Sequence, residues 1–371
     1  MPMRNLLKAI LLLTTLINPL VAQADIVKYA ITPIGIVGSM PAGINNNGQV
    51  VGSFVSGNST HAFLYSRDSF VDLGTLGGGY SRALAINDSG TVVGTAGNSA
   101  SDTRAFVYVN GSMSDIGTLG GSNSSANAIN NNGQIAGVAD SASGSFAFMY
   151  TPGVDILNLG ALPGGPFSRA EGINDAGTVV GGSLVGDFPL ASFHAFKYSS
   201  GSMIDLGPPN SSWSVGQAIN GNGDVVGWSN AGVNVDHAVL YSADIITDLG
   251  TLNGFGSSVA YDINDDGQVV GSSEVAGRES RGFLYENGAM INLDTLINSA
   301  LGWTIESAYG INNQQQIAAY GCNGSVCQAL LLDPVSTVAE PQTLSILLTG
   351  LVLVGWTMRP GKRPRRWLST G

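Results

Sequence analysis

The chain has 371 residues, of which 52 are glycine and only 11% are charged. So many turn-forming residues argue against a helical protein, while an apolar content of 44% is too high for a disordered chain. Residues 25–338 carry 8 Lys and Arg against 25 Asp and Glu, a difference of −17, and so acidic a surface repels nucleic-acid phosphates and anionic membranes. Regular strands separated by tight turns are expected, and nucleic acid is not an expected partner.

The first 24 residues have the pattern of a secretory signal peptide. Arg4 and Lys8 supply a positive start, an apolar run follows over residues 9–20, and Ala22 and Ala24 occupy the small-residue positions that a signal peptidase requires. We predict cleavage after Ala24. A retained N-terminal anchor is the alternative, although the apolar run is short for a membrane span.

An Ile-Asn pair recurs in phrases such as "GINNNGQVVGSF" and "AINDSGTVVGTA". The pairs begin at residues 44, 86, 129, 173, 219, 263 and 311, so the intervals run from 42 to 48 residues. Four strand signals fit inside each interval: a stretch leading into Ile-Asn, a Val-Val-Gly element, a third like "HAFLY" (61–65) and a fourth like "FVDLGTL" (70–76). Units of this length with four short strands are typical of the blades of a β-propeller.

The repeated phrases also contain turn and packing signals. Asn-x-x-Gly suits a short hairpin in which Asn bonds its own backbone and Gly takes the left-handed conformation. In Ala-Phe-x-Tyr the two aromatic residues face the same side of a strand, so we expect them to pack on the neighbouring repeat.

The two ends of the repeat array are complementary. The last repeat has no fourth strand, whereas "YAITPIGIVGS" (29–39) precedes the first repeat and looks like a fourth strand. We therefore predict an all-β fold with a single seven-bladed β-propeller over residues 25–335, in which the N-terminal strand completes the last blade. Closure of this kind removes exposed sheet edges, which an open solenoid, the alternative, would keep.

The phrase "HAFLYSRDSFVDLGTLGGGYSRALAINDSGTVVG" (61–94) resembles the HAF repeat of probable extracellular bacterial proteins, which takes its name from His-Ala-Phe. The resemblance covers roughly residues 40–333. It implies export and a repeat architecture, and it implies no established reaction.

Side chains with catalytic or metal-binding chemistry are few. The histidines begin third strands, and other repeats hold Arg or Phe in the same slot: His61, His194 and His237 against Arg104, Phe146 and Arg281. We interpret this slot as a packing or edge position and not as a metal cluster. No serine elbow, HExxH motif or Walker loop occurs, so we predict neither catalytic residues nor a bound cofactor.

The acidic turn "INDDGQ" (263–268) offers a weak calcium candidate, because carboxylate oxygens at Asp265 and Asp266 are suitable ligands. Equivalent turns carry one acid or none, and hairpin geometry explains their Asn and Gly without an ion.

The loops that join strands two and three, and strand four to the next repeat, should emerge on one face. The longest of them contains Phe188 and Phe193, and variable loops on a rigid scaffold are where recognition usually occurs. Trp213 and Trp228 lie near this region and could stack on sugars, with burial in the core as the alternative.

Cys322 and Cys327 bracket "NGSV", in which Asn-Gly is a strong hairpin signal. Residues that face each other across such a hairpin come within disulfide reach, and exported proteins meet oxidising conditions, so we predict a disulfide bond. Half of a metal site is the alternative, but no second Cys or His pair accompanies it.

The C-terminal region follows a linker over residues 336–342. Residues 343–358 are apolar and uncharged, and we predict a short transmembrane helix with a basic cytoplasmic tail over 359–371. The arrangement resembles the PEP-CTERM sorting signal: Glu340 and Pro341 match its Glu-Pro element, although Ala339 stands where a proline is usual. The matching basic run consists of Arg359, Lys362, Arg363, Arg365 and Arg366. The resemblance implies processing by an exosortase in a Gram-negative bacterium, and a plain anchor helix is the alternative.

Together these features predict an exported, envelope-sorted and non-catalytic propeller, anchored in the membrane at least transiently. It would bind glycan or protein in the periplasm, at the cell surface or in an exopolysaccharide matrix. Two alternatives remain open: a propeller hydrolase or lyase that acts on polysaccharide, and a calcium-dependent structural or adhesion protein.

Overall fold

The computed structural model describes residues 28–186, 192–208, 212–232 and 235–335, with only the backbone of Arg278. Strands, turns and three short 3-10 segments account for their regular structure, and these residues contain no α-helix. The 3-10 segments are Ala276–Arg278, Leu293–Leu296 and Ser299–Leu301. The prediction of an all-β fold is therefore confirmed.

Several predicted segments lie outside the described residues. They are the signal peptide with Ala24, the Glu340–Pro341 element, the apolar segment 343–358 and the basic tail. Within the part of the chain that the structure describes, no helix has the length and apolar character needed to cross a membrane. The compact unit that contains the repeats ends at Pro334.

The strands form five four-stranded sheets and one eight-stranded sheet, which joins the first two repeats through a parallel pair between Thr60 and Tyr80. We number the repeats as units 1 to 7. Strand β1 (Tyr29–Pro33) precedes them. Unit 1 contains β2 (Met40–Ile44), β3 (Val50–Ser56), β4 (Ser59–Ser66) and β5 (Ser69–Asp72). Unit 2 contains β6 (Gly77–Ile86), β7 (Val92–Asn98), β8 (Thr103–Val109) and β9 (Ser112–Gly117).

Units 3 to 7 follow the same order. Unit 3 contains β10 (Gly120–Ile129), β11 (Ile135–Ser141), β12 (Gly144–Tyr150) and β13 (Leu157–Gly160). Unit 4 contains β14 (Ser168–Ile173), β15 (Val179–Val185), β16 (Ser192–Ser199) and β17 (Ser202–Asp205). Unit 5 contains β18 (Ser214–Ile219), β19 (Val225–Gly232), β20 (Val235–Ser242) and β21 (Ile245–Gly250). Unit 6 contains β22 (Ser258–Ile263), β23 (Val269–Glu274), β24 (Ser280–Glu286) and β25 (Ala289–Asn292), and unit 7 contains β26 (Thr304–Ile311), β27 (Ile317–Asn323) and β28 (Val326–Pro334).

Strand β1 occupies the place of a fourth strand in unit 7. It pairs antiparallel with β28, from Tyr29 opposite Pro334 to Pro33 opposite Leu330. The residue before it also reaches unit 6, because Lys28 Nζ lies 2.7 Å from Glu286. The beginning of the described chain is thereby attached to its last two repeats.

Hydrophobic clusters lie between consecutive units, and one further cluster joins unit 7 to unit 1. In unit 2, Phe106 and Tyr108 both belong to the cluster shared with unit 1, as the spacing of the aromatic pair predicts. Phe106 is paired with Gly94, where a Cβ atom would collide with a backbone carbonyl and lie 2.9 Å from the Phe106 ring. The glycine of Val-Val-Gly is therefore required mainly by the backbone of the preceding strand, because the Cβ atom would collide with the Arg82 carbonyl, and secondly by the phenylalanine of the next strand.

Each Ile-Asn asparagine is buried and caps its own turn. In unit 3, Asn130 Oδ1 accepts hydrogen bonds from the backbone N–H groups of Asn132 (3.1 Å) and Gln134 (2.9 Å). This local bonding is what the turn signal predicts.

The Nδ2 group of the same asparagine donates across the interface to the backbone carbonyl of the equivalent asparagine in the next unit. The donor–acceptor distances are 2.8 Å for Asn45 to Asn87, 3.1 Å for Asn87 to Asn130, 2.9 Å for Asn130 to Asn174, 3.1 Å for Asn174 to Asn220, 3.2 Å for Asn220 to Asn264, 3.2 Å for Asn264 to Asn312 and 2.9 Å for Asn312 to Asn45. We call this series the asparagine ring. The two kinds of bond need a side chain with separate acceptor and donor atoms, which the Asn amide provides. An ionised Asp has no donor, and Ser has a single oxygen for both roles.

Replacing Gln315 by Gly should stabilise the protein by about 0.5–1 kcal/mol. Gln315 has a φ of 63° at the turn position where the other units have Gly, as in Gly133 with a φ of 78°. A side chain is strained in this left-handed region, and the gain is partly offset by the larger entropy of the unfolded chain. Urea unfolding measures the change. At the equivalent position of unit 3, Gly133→Ala should lower the free energy of unfolding by about 1 kcal/mol. A destabilised Gln315→Gly variant would contradict the prediction.

Candidate functional site

The slot that holds the histidines joins the third strand of a unit to its fourth. In five units the slot is His or Arg, and it pairs with an aspartate that lies within the fourth strand, at its end or just beyond it. The distances are 2.8 Å for His61–Asp72, 2.9 Å for His194–Asp205, 2.8 Å for His237–Asp248, 3.6 Å for Arg104–Asp115 and 3.3 Å for Arg281–Asp294. No three His, Cys, Asp or Glu side chains form a metal-binding group in the described residues. In these five units the slot therefore forms a polar pair between the third strand and the fourth-strand region of the same unit.

The calcium candidates Asp265 and Asp266 are exposed in the turn of unit 6. Asp265 Oδ1 accepts a hydrogen bond from the Gly221 backbone N–H at 2.7 Å, and Oδ2 accepts one from Asn313 Nδ2 at 2.6 Å. Both carboxylate oxygens therefore link neighbouring turns.

The two predicted cysteines form a disulfide bond. Cys322 and Cys327 face each other in the hairpin of β27 and β28. The prediction is confirmed.

A β-bulge occurs in the first strand of every unit, three residues before the ring asparagine. The pairing with the second strand skips one residue in each case, and the extra residue is Ala42, Leu84, Asn127, Glu171, Gln217, Tyr261 or Tyr309. A bulge re-aims the side chain of the extra residue relative to the regular alternation of the strand. These bulge residues share a position and differ in chemistry, unlike the residues around them.

The bulge residues line two connected parts of a central cavity. The inner part has a volume of about 180 Å³, and the outer part, which we call the mouth, has about 550 Å³. The mouth also touches Met40 at the start of β2, Val55 and Thr60 beside the β3–β4 loop, and Arg82 on β6. It therefore opens on the face where the sequence places ligand-binding loops, and its volume suits a small ligand.

One arc of the mouth is polar. Glu171 Oε1 lies 2.8 Å from Arg169 Nε, and Glu171 Oε2 accepts a hydrogen bond from Asn127 Nδ2 at 3.1 Å. Burial raises the pKa of the Glu171 carboxyl, while the positive charge of Arg169 and the hydrogen bond from Asn127 oppose that rise. Gln217 adds an amide to the same arc. The arc offers both donors and acceptors to a ligand.

The next arc is aromatic. The rings of Tyr261 and Tyr309 are stacked, with centroids 5.2 Å apart and an angle of 21° between their planes. Ser272 Oγ donates a hydrogen bond to the Tyr261 hydroxyl at 3.2 Å, which fixes that ring. The two tyrosines present a rigid apolar face with polar tips beside the polar arc.

The predicted aromatic residues meet the polar arc through Arg169. Phe193 is buried and contacts Trp213 at a ring-centroid distance of 5.7 Å, while Trp213 is 48% exposed. The guanidinium of Arg169 lies 5.8 Å from the centre of the Phe193 ring. Trp228 is half-buried in β19, and Phe188 lies outside the described residues. The structure therefore brings Phe193 and Trp213 together and links them to the polar arc through Arg169, although neither ring lines the mouth itself.

The sequence interpretation missed Glu171, Tyr261 and Tyr309, and it marked no acid in the central funnel. A signal existed in the alignment of the repeats. The residues on either side of the bulge position are Gly or Ala in most units, whereas the seven bulge positions hold six different residue types. Variation confined to one position of a repeated strand indicates that this position does not serve the common fold.

Asp262 predicts a pH dependence of stability. Other units have Gly or Ala at this position, and its carboxylate accepts the backbone N–H groups of Ile311 and Ile263, both at 2.9 Å. Burial raises its pKa to about 7, above the unfolded value of about 3.9. The folded state therefore holds the proton more tightly, so this contribution to stability is complete below pH 4 and is lost as the pH rises through 7.

The Asp262→Ala variant should lose this slope. Between pH 4 and 8 the free energy of unfolding of the unmodified protein should fall by about 2 kcal/mol more than that of the variant. The difference is modest because the Asp262 side chain is only half-buried, so that solvent reduces the cost of ionising it. Urea unfolding at both pH values measures the difference, whatever constant cost the substitution carries. Equal slopes in the two proteins would contradict it.

Comparison with known proteins supports the fold. Residues 202–333 match the family DUF3466, which is described as a protein of unknown function. No curated protein has a significant sequence match to this chain. Among solved structures, a puromycin-hydrolyzing peptidase of Mycobacterium tuberculosis is 11% identical with a TM-score of 0.54. The match covers 86% of this chain and 55% of the peptidase.

Two further structures are similar. YCF48, solved bound to D1 peptide, is 10% identical with a TM-score of 0.50, and the match covers 83% of this chain and 97% of that one. TolB from Acinetobacter baumannii is 10% identical with a TM-score of 0.44, and the match covers 78% of this chain and 64% of that one. The chain thus spans 64% of TolB and 55% of the peptidase. The likenesses to the peptidase and to YCF48 indicate a propeller-like all-β fold; one of these structures is an enzyme and the other was solved bound to a peptide.

Proposed function

We propose that this protein is a non-catalytic β-propeller of seven four-stranded blades, closed by its N-terminal strand, which binds a glycan at the mouth. Three contacts support closure: the pairing of β1 with β28, the hydrophobic cluster between units 7 and 1, and the hydrogen bond from Asn312 to Asn45. Closure matters for function because it brings the bulge residues of distant repeats to one cavity.

The observation that carries the ligand class is the segregation of the mouth into an aromatic and a polar arc. Sugars present an apolar ring face and an edge of hydroxyl groups. The Tyr261–Tyr309 pair suits the ring face, while Asn127, Glu171 and Gln217 suit the hydroxyl groups. A protein ligand is the other member of the predicted class, and an extended peptide would serve as its probe.

A glycan array probed with the full chain tests this proposal. Tyr261→Ala and Tyr309→Ala should each weaken binding to any positive glycan by at least about tenfold, because each removes half of the stacked pair. Phe255→Ala is the matched control, since Phe255 is 54% exposed in the β21–β22 loop and does not line the mouth. Binding that survives both tyrosine substitutions would overturn the mouth as the site.

The proposal includes export and sorting at the envelope of a Gram-negative bacterium. It rests on the resemblance to HAF repeats and to the PEP-CTERM signal, with an exosortase and the membrane as partners, and the Cys322–Cys327 disulfide suits an oxidising compartment. Intact mass of the protein from the envelope fraction is the test. Loss of residues 1–24 and of the segment after about Glu340 is expected, whereas retention of the basic tail would indicate a plain anchor.

A polysaccharide-cleaving enzyme is the second candidate, and Glu171 is the observation that favours it. A carboxyl whose pKa is raised by burial in a ligand-sized cavity has the character of a general acid. Release of reducing ends from a bound glycan would support it, provided that Glu171→Gln abolishes the release and keeps the binding. Absence of turnover on glycans that bind supports the non-catalytic proposal.

A calcium-dependent adhesion protein is the third candidate, and the effect of EDTA on the melting temperature distinguishes it from the glycan-binding protein and the enzyme. Under that alternative, EDTA should lower the melting temperature, and Asp265→Asn with Asp266→Asn should remove the effect. Under our proposal the melting temperature stays the same with EDTA.

A further inference from the structure

Unpaired positive charge is scarce in this acidic protein. Of the Lys and Arg side chains that the structure describes, four are in ion pairs: Lys28, Arg104, Arg169 and Arg281. The other three, Arg67, Arg82 and Lys197, make no ion pair or side-chain hydrogen bond within the described residues. A free guanidinium or ammonium group in a body of such negative charge is available to an anionic ligand.

The three unpaired cations differ in their surroundings. Arg67 lies in the exposed β4–β5 turn. Lys197 lies in a groove between units 4 and 5 whose wall includes Asp205, Asp224 and Asp244, so the local charge there is negative. Arg82 is exposed on β6 and lines the mouth. The groove at Lys197 is as large as the mouth, so Arg82 is distinguished by an unpaired charge in a ligand-sized cavity whose wall carries no excess of acids.

The remaining charges of the mouth do not neutralise Arg82. Glu171 is the acid that lines the mouth in the described chain, and it is already paired with Arg169 at 2.8 Å. The polar arc therefore contributes no net charge while that pair is formed, and the mouth keeps one uncommitted positive charge. A single cation suits a ligand with one negative group, because the acidic body would repel a ligand with many.

We propose that the mouth binds a sugar that carries a single carboxylate, a uronic acid residue, with the carboxylate on Arg82 and the ring on the Tyr261–Tyr309 face. This inference rests on the proposed glycan binding and adds the charge of the ligand. The planar guanidinium offers two parallel N–H donors that match the two oxygens of a carboxylate, whereas a lysine would offer only a point charge. The neutral hydroxyl groups of the sugar then face Asn127 and Gln217.

Matched short oligosaccharides test the inference with the full chain. The first ends in a uronic acid, the second in the neutral hexose that has CH2OH in place of the carboxylate, and the third in the same hexose carrying a sulfate ester. We expect the uronate to bind at least about tenfold more tightly than the neutral sugar, and the preference to shrink in 1 M salt. Arg82→Gln should abolish the preference, while Arg67→Gln, the control for an unpaired surface arginine, should leave it unchanged.

The outcomes separate this inference from the proposed function. Equal binding of uronate and neutral sugar, unchanged by Arg82→Gln, overturns the inference and leaves glycan binding intact. Binding of the sulfated sugar as tight as that of the uronate overturns the choice of carboxylate. No binding of any sugar overturns the proposed function itself. Equal melting temperatures of the Arg82→Gln and Arg67→Gln variants exclude misfolding as the cause of a loss.

Discussion

Replacing Asn130 by alanine should lower the free energy of unfolding by about 3–4 kcal/mol. The Asn130 amide donates to the Asn174 carbonyl and to Gln134 Oε1, both at 2.9 Å, and its oxygen caps two backbone N–H groups of its own turn. The alanine variant loses all four bonds. The turn N–H groups of Asn132 and Gln134 lose their acceptor, and the Asn174 carbonyl keeps only its bond from the Gly177 N–H. A polar group left unsatisfied on folding costs about 1–3 kcal/mol, more than a hydrogen bond contributes on average.

Asn132 supplies the matched control in the same turn. It is exposed, and its Nδ2 donates to the Asp175 carbonyl at 2.7 Å, so it too reaches the next unit. Because water can replace that partner, Asn132→Ala should cost less than about 1 kcal/mol. Asn130→Asp adds a second comparison, since it keeps the acceptor and loses the donor to Asn174. Urea unfolding measures the free energy of unfolding of the three variants. Similar losses for Asn130→Ala and Asn132→Ala would show that the asparagine ring stabilises the protein no more than an exposed turn contact does.

The sequence could predict only half of the role of these asparagines. Bonding of Asn130 Oδ1 to the N–H groups two and four residues later is local, so the Asn-x-x-Gly signal was sufficient to predict it. The bond from Nδ2 to Asn174 joins residues 44 apart, and it depends on the distance between adjacent units. Only the packing of the units sets that distance, and it does not follow from the turn itself.

The same distinction explains the candidate site. The loop argument predicted the face on which the mouth opens, and it selected Phe193 and Trp213, whose rings the structure brings together. Glu171 and Tyr261 were missed because regular alternation assigns a strand residue to one of two faces, and a bulge breaks that alternation. No residue type at the bulge marks it, so its position could be found only from the register of the paired strands.

The recurring His-Ala-Phe phrase shows a third case. The packing of Phe106 and Tyr108 on the neighbouring repeat followed from the spacing of the aromatic pair, and the structure confirms it. The pairing of His61 with Asp72 did not follow, although both residues stand in motifs that repeat along the chain. Recurrence at a fixed spacing cannot show which two motifs touch until the third and fourth strands are aligned with each other.

Replacing Tyr29 by alanine should destabilise the protein by about 3–5 kcal/mol, the largest effect that we expect from a single substitution. Tyr29 is only 1% exposed, although it lies near the beginning of the described chain. It packs in one cluster with Leu284 and Leu293 of unit 6 and with Ile305 of unit 7. Truncation removes an aromatic side chain from this cluster and loosens β1 from β28, so the loss includes both a cavity and a weakened strand pair.

Tyr29→Phe separates the packing of the ring from its hydroxyl group. The Tyr29 hydroxyl is buried and makes no hydrogen bond within the described residues, so its removal should be neutral or slightly stabilising. We therefore expect Tyr29→Phe to unfold at the same urea concentration as the unmodified protein, and Tyr29→Ala at a much lower one. Hydrogen exchange should also become faster in β28 of the alanine variant, because its outer edge is then less well covered. If Tyr29→Ala left both the midpoint and the exchange of β28 unchanged, β1 would not hold the last unit, and the proposed closure of the ring would lose its main support.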